Sequence, residues 1–587
     1  MSTTLCAAFQ DTVARYPAKV ALRTHDDSVV ITWRQYGERV RRIAAGLAKL
    51  GVHHGDTVGL MLTNRPEFHL TDTAALHAGA TPFSVYSTLA AEQLHYVLTN
   101  AGNRIMVCEK QFLPVIREAL PDTAVEHVVC VDDAPDGTLG LADLESDPDP
   151  LFDFDTAWRA VTPHDVATVI YTSGTTGPPK GVELTHENLL SAREVLAELA
   201  HANSDDRVVS YLPDAHIANR AAAHYGAMTF AMEVTTVADL KLAVPTLPSV
   251  RPTLFFAVPQ VWYKIKAAIE QAVDEDKSPL KQRMARWAID VGRRTARMHS
   301  DRTPVPHRLE LQHAVADRLV LAPIRRKLGL DEVRLALTGA SAIAPDVLEF
   351  ILGLGIPCCE VWGMSESAAM GTVNRPHSIR IGTVGQAAPG VTLRLAGDGE
   401  LLLSGPCVMR GYRGDPAKTA EAIDPEGWLH TGDIATIDAD GYVRIVDRKK
   451  ELIVNAAGKN MSPTNIEGAL RAASPLIGGA AAIGNDRPYV VALLTLDADA
   501  ATAFAARAGL SNGSPDRLAT DPAVLAEIES AVAEANSHLS RAEQIKKFRL
   551  LPVIWEPGGE EFTPTMKLRR KPIDTKYARE IEQLYAG

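Results

Sequence analysis

A run of hydroxyl residues and glycines at 171–186, YTSGTTGPPKGVELTH, is the part of the chain whose residue types most directly suggest chemistry. It follows ATVI at 167–170, an apolar stretch typical of a buried strand. Glycines let backbone N–H groups approach an anion closely, while hydroxyl groups and a lysine add donors and positive charge. The pattern predicts a polyphosphate-binding loop with the residues Thr172, Ser173, Gly174, Thr175, Thr176, Gly177 and Lys180.

This loop differs from the Walker A loop of P-loop kinases and ATPases. A Walker A lysine directly follows Gly and directly precedes Ser or Thr, whereas Pro179 and Gly181 flank Lys180 here. The P-loop class is therefore disfavoured. An ordinary surface loop rich in Ser, Thr and Gly is the alternative interpretation, and the length of the ordered run argues against it.

Size and composition limit the classes of protein to which the chain can belong. The chain has 587 residues, 46% of them hydrophobic, which is too long for one core and predicts more than one domain. A net charge of -12 disfavours nucleic acid as a partner.

The six cysteines form no CxxC pair, which favours reduced, cytosolic thiols. Neither a signal peptide nor a membrane span is evident, so we expect a cytoplasmic protein, with peripheral membrane contact left open.

Apolar periodicity predicts an α/β architecture. Positions 33–50 carry apolar residues at helical spacing, and short apolar runs at 57–62, 105–108 and 127–131 alternate with helical stretches. Strand, helix and strand follow one another again at 333–362, and ligands favour the loops at such strand ends. We expect a large domain at 1–447 built on parallel-rich sheets.

The pattern of residue types along the sequence changes twice in the second half of the chain. Short alternating strands with glycine turns predict a β-rich, β-barrel-like subdomain at 386–447. From 448 onward a charged segment, a small α/β pattern and a basic end predict a small, mobile α+β domain at 448–587.

The chain resembles the adenylate-forming family, which includes acyl-CoA synthetases, peptide-synthetase adenylation domains and luciferases. After the loop at 171–186, the resemblance continues in order with YLPDAHIANR (211–220), TGASAI (338–343), VWGMSES (361–367), GWLHTGD (427–433), DRKKELI (447–453), GKNMSP (458–463) and TPTMKLRRK (563–571). It spans nearly the whole chain. It implies that the substrates are small molecules, ATP and a carboxylic acid, and that Mg²⁺ accompanies the ATP.

The resemblance assigns the nucleotide site. A flat apolar slot for adenine is expected from Trp362 by stacking, where the family usually has Tyr, and from a small-residue turn. Asp433 and Arg448 are expected at the ribose, since a carboxylate accepts from both hydroxyls. Glu366 is the expected magnesium ligand and Ser365 an α-phosphate donor. The small residues of the predicted adenine slot are Gly339, Ala340 and Ser341, and Gly363 is a further expected ATP-binding residue.

The resemblance also assigns catalytic residues, a hinge and a coenzyme A channel. Lys567 lies four residues after Thr563, as the family's catalytic lysine does, although Met566 replaces a glycine there. A desolvated ammonium group would stabilise charge that builds on the α-phosphate. His216 matches a histidine near the substrate carboxylate, for which we expect positioning or gating. The hinge is expected at Lys450. The pantetheine channel of coenzyme A is expected at Gly458 and Lys459.

The motifs look closest to long-chain fatty-acid CoA ligases, which imply acyl-adenylate formation followed by transfer to coenzyme A. The acyl pocket would come largely from 187–300. Branched, aromatic or sterol-derived acids remain open as substrates. An acyl-AMP ligase that loads a carrier protein, a luciferase-like oxygenase and a nonenzymatic lipid binder are the rival interpretations.

Overall fold

The structure is a computed structural model, and it describes residues 2–172, 178–454, 460–510, 514–556, 558–563 and 567–586. Within these residues, no helix combines the length and apolarity needed to cross a bilayer.

The strands of the described residues, numbered in chain order, are β1 Val20–Thr24, β2 Val30–Thr32, β3 Thr57–Met61, β4 Thr81–Ser84, β5 Ile105–Cys108, β6 His127–Cys130, β7 Leu139–Gly140, β8 Val166–Thr172, β9 Lys180–Thr185, β10 Arg207–Ser210, β11 Glu233–Thr236, β12 Leu254–Ala257, β13 Leu335–Thr338, β14 Cys358–Trp362, β15 Thr372–Val373, β16 Gln386–Ala387, β17 Thr392–Leu395, β18 Glu400–Ser404, β19 Gly411–Tyr412, β20 Leu429–Ile437, β21 Val443–Arg448, β22 Ile453–Val454, β23 Asn460–Met461, β24 Ile477–Ile483, β25 Val490–Leu496 and β26 Ile545–Leu550.

The α-helices are α1 Leu5–Arg15, α2 Trp33–Lys49, α3 Pro66–His77, α4 Ala91–Ala101, α5 Leu113–Ala119, α6 Leu141–Ser146, α7 Phe154–Ala160, α8 His186–Ala200, α9 Ile217–Asn219, α10 Gly226–Phe230, α11 Ala243–Val250, α12 Pro259–Asp274, α13 Pro279–Ser300, α14 His307–Ala316, α15 Ala322–Leu328, α16 Pro345–Gly353, α17 Pro416–Ala422, α18 Pro463–Ala473, α19 Ala498–Ala508, α20 Pro515–Leu518, α21 Pro522–His538, α22 Arg570–Lys576 and α23 Ala578–Tyr585. Two π-helical segments, Arg220–Tyr225 and Asp317–Leu321, join α9 to α10 and α14 to α15.

The elements predicted in the first half of the large domain are confirmed. Helix α2 begins at a capping box between Thr32 and Gln35, which satisfies backbone N–H groups of its first turn. Strands β3, β5 and β6 lie in a five-stranded parallel sheet of order β4-β3-β5-β6-β7. All residues of β3 and β5 are buried, which explains their continuous apolar sequence.

A second sheet carries the strand ends that matter for function. Strands β12, β13 and β14 run parallel, and β15 and β16 extend the sheet antiparallel. Helix α16 connects β13 to β14 and has Pro345 at its start, as predicted. The carboxyl ends of β13 and β14 therefore lie side by side.

The β-rich unit is a four-stranded antiparallel sheet of order β17-β18-β20-β21. It is an open sheet with β17 and β21 at its edges, a simpler form than a barrel. Strand β16 belongs to the second sheet, and β19 pairs with β9 beside the β8–β9 hairpin. Residues 386–387 and 411–412 thus connect the unit to the large domain.

The C-terminal part has its own cores. Strands β24, β25 and β26 form a three-stranded sheet, and α18 and α21 pack against each other and contribute to one core. A second core holds Trp555, Phe562 and Tyr577. Lys264 of α12 forms an ion pair of 3.7 Å with Asp499 of α19, so this part contacts the large domain.

Candidate functional site

Asp433 is held by two of the residues that the sequence assigned to the same site. Asp433 on β20 and Arg448 on β21 are cross-strand partners, and the Arg448 Nε lies 2.7 Å from the Asp433 Oδ1. The indole Nε1 of Trp362, at the end of β14, donates to the Asp433 Oδ2 at 2.8 Å. Both carboxylate oxygens are therefore fixed in place.

Asp433 lies in a part of the site with little access to solvent. Its side chain is buried, and burial raises its pKa, while the positive charge of Arg448 opposes that rise. A carboxylate that is buried, oriented and paired is suited to accept hydrogen bonds from vicinal hydroxyl groups.

The small-residue turn after β13 packs closely against β14. A Cβ on Gly339 would lie 2.8 Å from the carbonyl oxygen of Val361, so only glycine fits there. Ala340 has a left-handed φ of 67°, and Ser341 is exposed on the same turn. A nonglycine residue in this conformation is strained, which is a feature of ligand-binding loops.

The loop after β14 is equally tight. A Cβ on Gly363 would lie 2.2 Å from the carbonyl oxygen of Ala369. Ser365 opens a short 3₁₀ turn, Ser365–Ser367, which Ala368 and Ala369 follow with φ of 52° and 65°. This loop buries Glu366.

Glu366 lies in a cluster with a residue that the sequence analysis missed. The hydroxyl of Tyr412, on β19, donates to the Glu366 Oε1 at 2.8 Å. The Lys180 Nζ lies 4.6 Å from the centre of the Tyr412 ring, a cation–π contact. Tyr412 pairs with Val182 in the sheet, so long-range strand pairing brings it here, and no short motif signals it.

These residues fit a magnesium ion that accompanies a polyphosphate. Mg²⁺ keeps several waters and takes one or two carboxylates together with phosphate oxygens, so a dense protein cage is not needed. The part of the chain that the structure describes has no cluster of three or more His, Cys, Asp or Glu side chains able to hold a metal. Glu366 supplies a buried carboxylate, and its partner Tyr412 contacts Lys180 of the predicted phosphate loop.

The predicted phosphate loop follows β8 in the chain and ends at β9, and these two strands pair with each other. Thr172 and Lys180 are the last cross-strand partners before the connecting segment, and the Thr172 hydroxyl donates to the Lys180 carbonyl at 3.5 Å. Five predicted residues lie outside the described part of the chain: Ser173, Gly174, Thr175, Thr176 and Gly177.

Lys567 of the C-terminal part is close enough to Arg448, Asp433 and Glu366 for their charges to shift its pKa. Partial desolvation lowers the pKa of Lys567, the charge of Arg448 lowers it further, and the carboxylates of Asp433 and Glu366 oppose the change. Its side chain nonetheless stays accessible to solvent, as expected for a residue in a cleft. The Thr563 N–H donates to the Lys567 carbonyl oxygen at 2.8 Å.

His216 is within the electrostatic reach of Lys567. Burial, and then the positive charge of Lys567, lowers the pKa of His216 to about 4. At the N-cap of α9, its Nδ1 accepts from the Ala218 N–H at 3.2 Å. The ring is therefore neutral at pH 7 with its proton on Nε2, which suits a positioning role.

The remaining predicted residues concern domain movement. Lys450 lies in an exposed turn directly after β21. Gly458 and Lys459 fall outside the described residues.

A narrow apolar cavity of about 30 Å³ lies between α8, the segment around Ala222 and the sheet strands β10, β12 and β13. Its lining includes Leu196, Val208, Leu212, Phe255 and Leu335. Most of these residues fall in 187–300, the stretch in which the acyl pocket is predicted.

Comparisons agree with the motifs and the fold. Residues 9–413 match the AMP-binding enzyme family, and residues 450–587 match the AMP-binding enzyme C-terminal domain. The chain belongs to the family of AMP-binding enzymes, which confirms the predicted family.

Relatives with curated names extend over most of the chain. The protein fadD11 of Mycobacterium tuberculosis is 51% identical over 452 residues, covering 77% of this chain and 79% of that protein. The long-chain-fatty-acid–CoA ligase FadD15 of the same organism is 35% identical over 94% of this chain and 92% of its own length. The long-chain-fatty-acid–CoA ligase ACSBG2 of Xenopus laevis is 33% identical over 99% of this chain and 84% of its own length.

Solved structures show the same fold. An anthranilate CoA ligase, AuaEII, in complex with anthranoyl-AMP matches with a TM-score of 0.73 at 18% identity, over 98% of this chain and 99% of that one. The adenylation domain of a carboxylate reductase from Mycobacterium chelonae matches with a TM-score of 0.75 at 19% identity, over 100% and 91%. The predicted multi-domain α/β fold is thereby confirmed.

Proposed function

We propose that this chain is an ATP-dependent fatty acid:CoA ligase. A carboxylate and ATP give acyl-AMP and pyrophosphate, and acyl-AMP and coenzyme A then give acyl-CoA and AMP. The observation that carries the proposal is the contact of Asp433 with both Trp362 and Arg448, three residues from three separate motifs. Glu366, bound by Tyr412 beside Lys180, supplies a second buried carboxylate.

In the first half-reaction the acid's carboxylate oxygen attacks the α-phosphorus, and the bond to the β-phosphate oxygen breaks. Negative charge spreads over the nonbridging oxygens, where the Lys567 ammonium stabilises it. Asp433, Arg448 and Trp362 hold the nucleoside. A magnesium ion bound through Glu366 would neutralise charge on the phosphates.

His216 positions the acid rather than deprotonating it. A carboxylic acid is already ionised at neutral pH, so its attack on phosphorus requires no general base. The neutral imidazole can donate its Nε2–H to the substrate carboxylate. It adds no second positive charge to that of Lys567.

Long-chain fatty acids are the proposed substrate class. FadD15 and ACSBG2, which carry that activity in their names, align over nearly the whole chain. The apolar cavity is narrow, so a long acyl chain enters only if the lining side chains move. The π-helical segment Arg220–Tyr225 beside it is a departure from regular helix of the kind found at functional sites.

Coenzyme A is the proposed acceptor in the second half-reaction. Thiolate attack on the adenylate carbonyl requires Lys567 to leave the cleft, and the exposed turn at Lys450 provides the hinge. Fatty acid, ATP and coenzyme A are the proposed partners, in the cytoplasm or at a membrane surface.

Pyrophosphate release across a panel of fatty, branched, aromatic and sterol-derived acids tests this proposal. We expect release that rises with acyl chain length, and acyl-CoA formation when coenzyme A is added. Acyl-AMP consumed only by a phosphopantetheinylated carrier protein would contradict the acceptor. An absence of pyrophosphate release with every acid would overturn the proposal as a whole.

A further inference from the structure

Two neighbouring helices expose large apolar side chains that the proposed reaction does not use. Leu280, Met284 and Trp287 lie on α13, and Leu311, Val315 and Leu319 lie on α14 and the π-helical segment that follows it. Leu280, Leu311 and Leu319 are 67%, 58% and 55% exposed. We call these six residues the α13–α14 apolar surface.

Their spacing places them on one stripe of each helix. Positions 280, 284 and 287 are separated by four and three residues, and positions 311, 315 and 319 by four, which are the intervals of a single helical face. Helix α13 packs on α14, so the two stripes lie on one pair of packed helices.

Other faces of this helix pair anchor it to the large domain. Ala288, Val291 and Gly292 in the second half of α13 are buried, and a Cβ on Gly292 would lie 2.1 Å from the Gly353 carbonyl oxygen of α16. Leu309 of α14 is buried in the same core. The exposed stripes are therefore additional to the faces that hold the helices in place.

The segment is also strongly basic in an acidic protein. Residues 277–327 contain thirteen lysines and arginines but four acidic residues, a net charge of +9, whereas the whole chain carries -12. Lys281, Arg283, Arg308 and Arg318 are exposed, and within the described ranges none has a carboxylate within 4.0 Å. These cations are available to an external anionic surface.

We infer that the α13–α14 apolar surface docks on an anionic lipid bilayer. Apolar side chains flanked by arginine and lysine are the composition of interfacial helices, where the apolar face enters the headgroup boundary and the cations contact lipid phosphates. This inference rests on the proposed function, because a long-chain fatty acid partitions into bilayers and an enzyme docked there meets it directly.

Sedimentation of the full chain with phosphatidylcholine vesicles, and with vesicles that also contain phosphatidylglycerol, tests the inference. We expect binding to the anionic vesicles that weakens with added salt, because the charge contribution is screened. The Leu311→Ser/Val315→Ser/Leu319→Ser variant and the Arg308→Gln/Arg318→Gln variant should each bind at least tenfold more weakly.

Leu151→Ser is the matched control, since Leu151 is 90% exposed and lies far along the chain from the surface. Equal melting temperatures across the variants show that folding is intact. Vesicle binding that is unchanged in the triple variant, or equal for both vesicle types, overturns the inference. Ligation of a short, water-soluble acid should be unchanged in all variants, so failure of docking and failure of the ligase proposal are distinguishable.

Discussion

At the residue scale, the charge of Lys567 is the feature on which the proposed chemistry depends. Desolvation and the cation of Arg448 disfavour its protonated form and lower its pKa, whereas the carboxylates of Asp433 and Glu366 oppose that change. A bound triphosphate would add negative charge that favours the protonated form. The lysine is suited to respond to phosphate binding.

Replacing Lys567 with alanine should separate the two half-reactions. We expect Lys567→Ala to reduce acyl-adenylate formation by about a hundredfold or more, because a preorganised charge at the developing oxyanion is lost. Thioester formation from supplied acyl-AMP should be nearly unchanged. Lys571→Ala, an exposed lysine of the same basic tail, is the control. Equal loss in both half-reactions would refute the assigned role.

The lowered pKa of Lys567 predicts the alkaline behaviour of adenylation. The protonated lysine is the active form, so kcat/KM for ATP should fall as pH rises through a pKa below the usual lysine value. In kcat the fall should come at higher pH, since bound phosphates raise the lysine pKa. Lys567→Arg keeps its charge and should remove the alkaline fall. A pH profile identical in the arginine variant would exclude Lys567 as the titrating group.

At the element scale, the junction between β21 and α18 fixes the orientation of the C-terminal part. Asp447, next to the predicted hinge, accepts a hydrogen bond from the Ser462 hydroxyl at 2.6 Å and another from the Thr464 N–H at 3.1 Å. It therefore binds the first turn of a helix that lies beyond the hinge. Rotation at Lys450 would separate these partners.

Removing this contact should change the balance between half-reactions. We expect Asp447→Ala to slow adenylation about tenfold relative to thioester formation, because hydrogen bonds to a charged acceptor stabilise the orientation seen here. Single-turnover rates of each half-reaction measure the ratio. Ser462→Ala, which loses one of the bonds, should show a smaller change of the same sign. An unaltered ratio would mean that Asp447 supports only the fold.

At the scale of the whole molecule, a buried ionic cluster joins separate parts of the large domain. Arg220, beside the cavity, is fully buried and lies 2.6 Å from the Asp72 carboxylate on α3. It also donates to the Ser84 hydroxyl of β4 and to the Asp214 carbonyl in the His216 loop. The cluster connects the five-stranded sheet to the loop that carries His216.

Removing Arg220 from this cluster should destabilise the large domain. We expect Arg220→Met to destabilise the large domain by about 3–5 kcal/mol, because the buried Asp72 would lose its cationic partner and keep the hydrogen bond with the His224 imidazole. Adding Asp72→Asn should recover part of the loss. Thermal melting measures both. Arg375→Met, which removes an exposed ion pair with Glu198, should shift the melting temperature little. A double variant as destabilised as the sum of the single variants would show that the two charges are not coupled.

The sequence by itself determined the family, the order of the elements and most of the residues proposed for the nucleotide site. Local patterns suffice for these, because the spacing of apolar residues specifies helices and strands and because phosphate-binding loops are contiguous. Trp362, Asp433 and Arg448 were predicted for one nucleotide site from separate motifs, and the structure brings them into hydrogen-bonding or ion-pair contact.

Only the tertiary structure decided which residues complete that site. Tyr412 reaches Glu366 through pairing between strands more than two hundred residues apart, and Arg220 reaches Asp72 across 148 residues. The unpartnered stripes of α13 and α14 follow from which helical faces the core covers. Contacts of this kind depend on how distant segments pack, and no local pattern of residues encodes them.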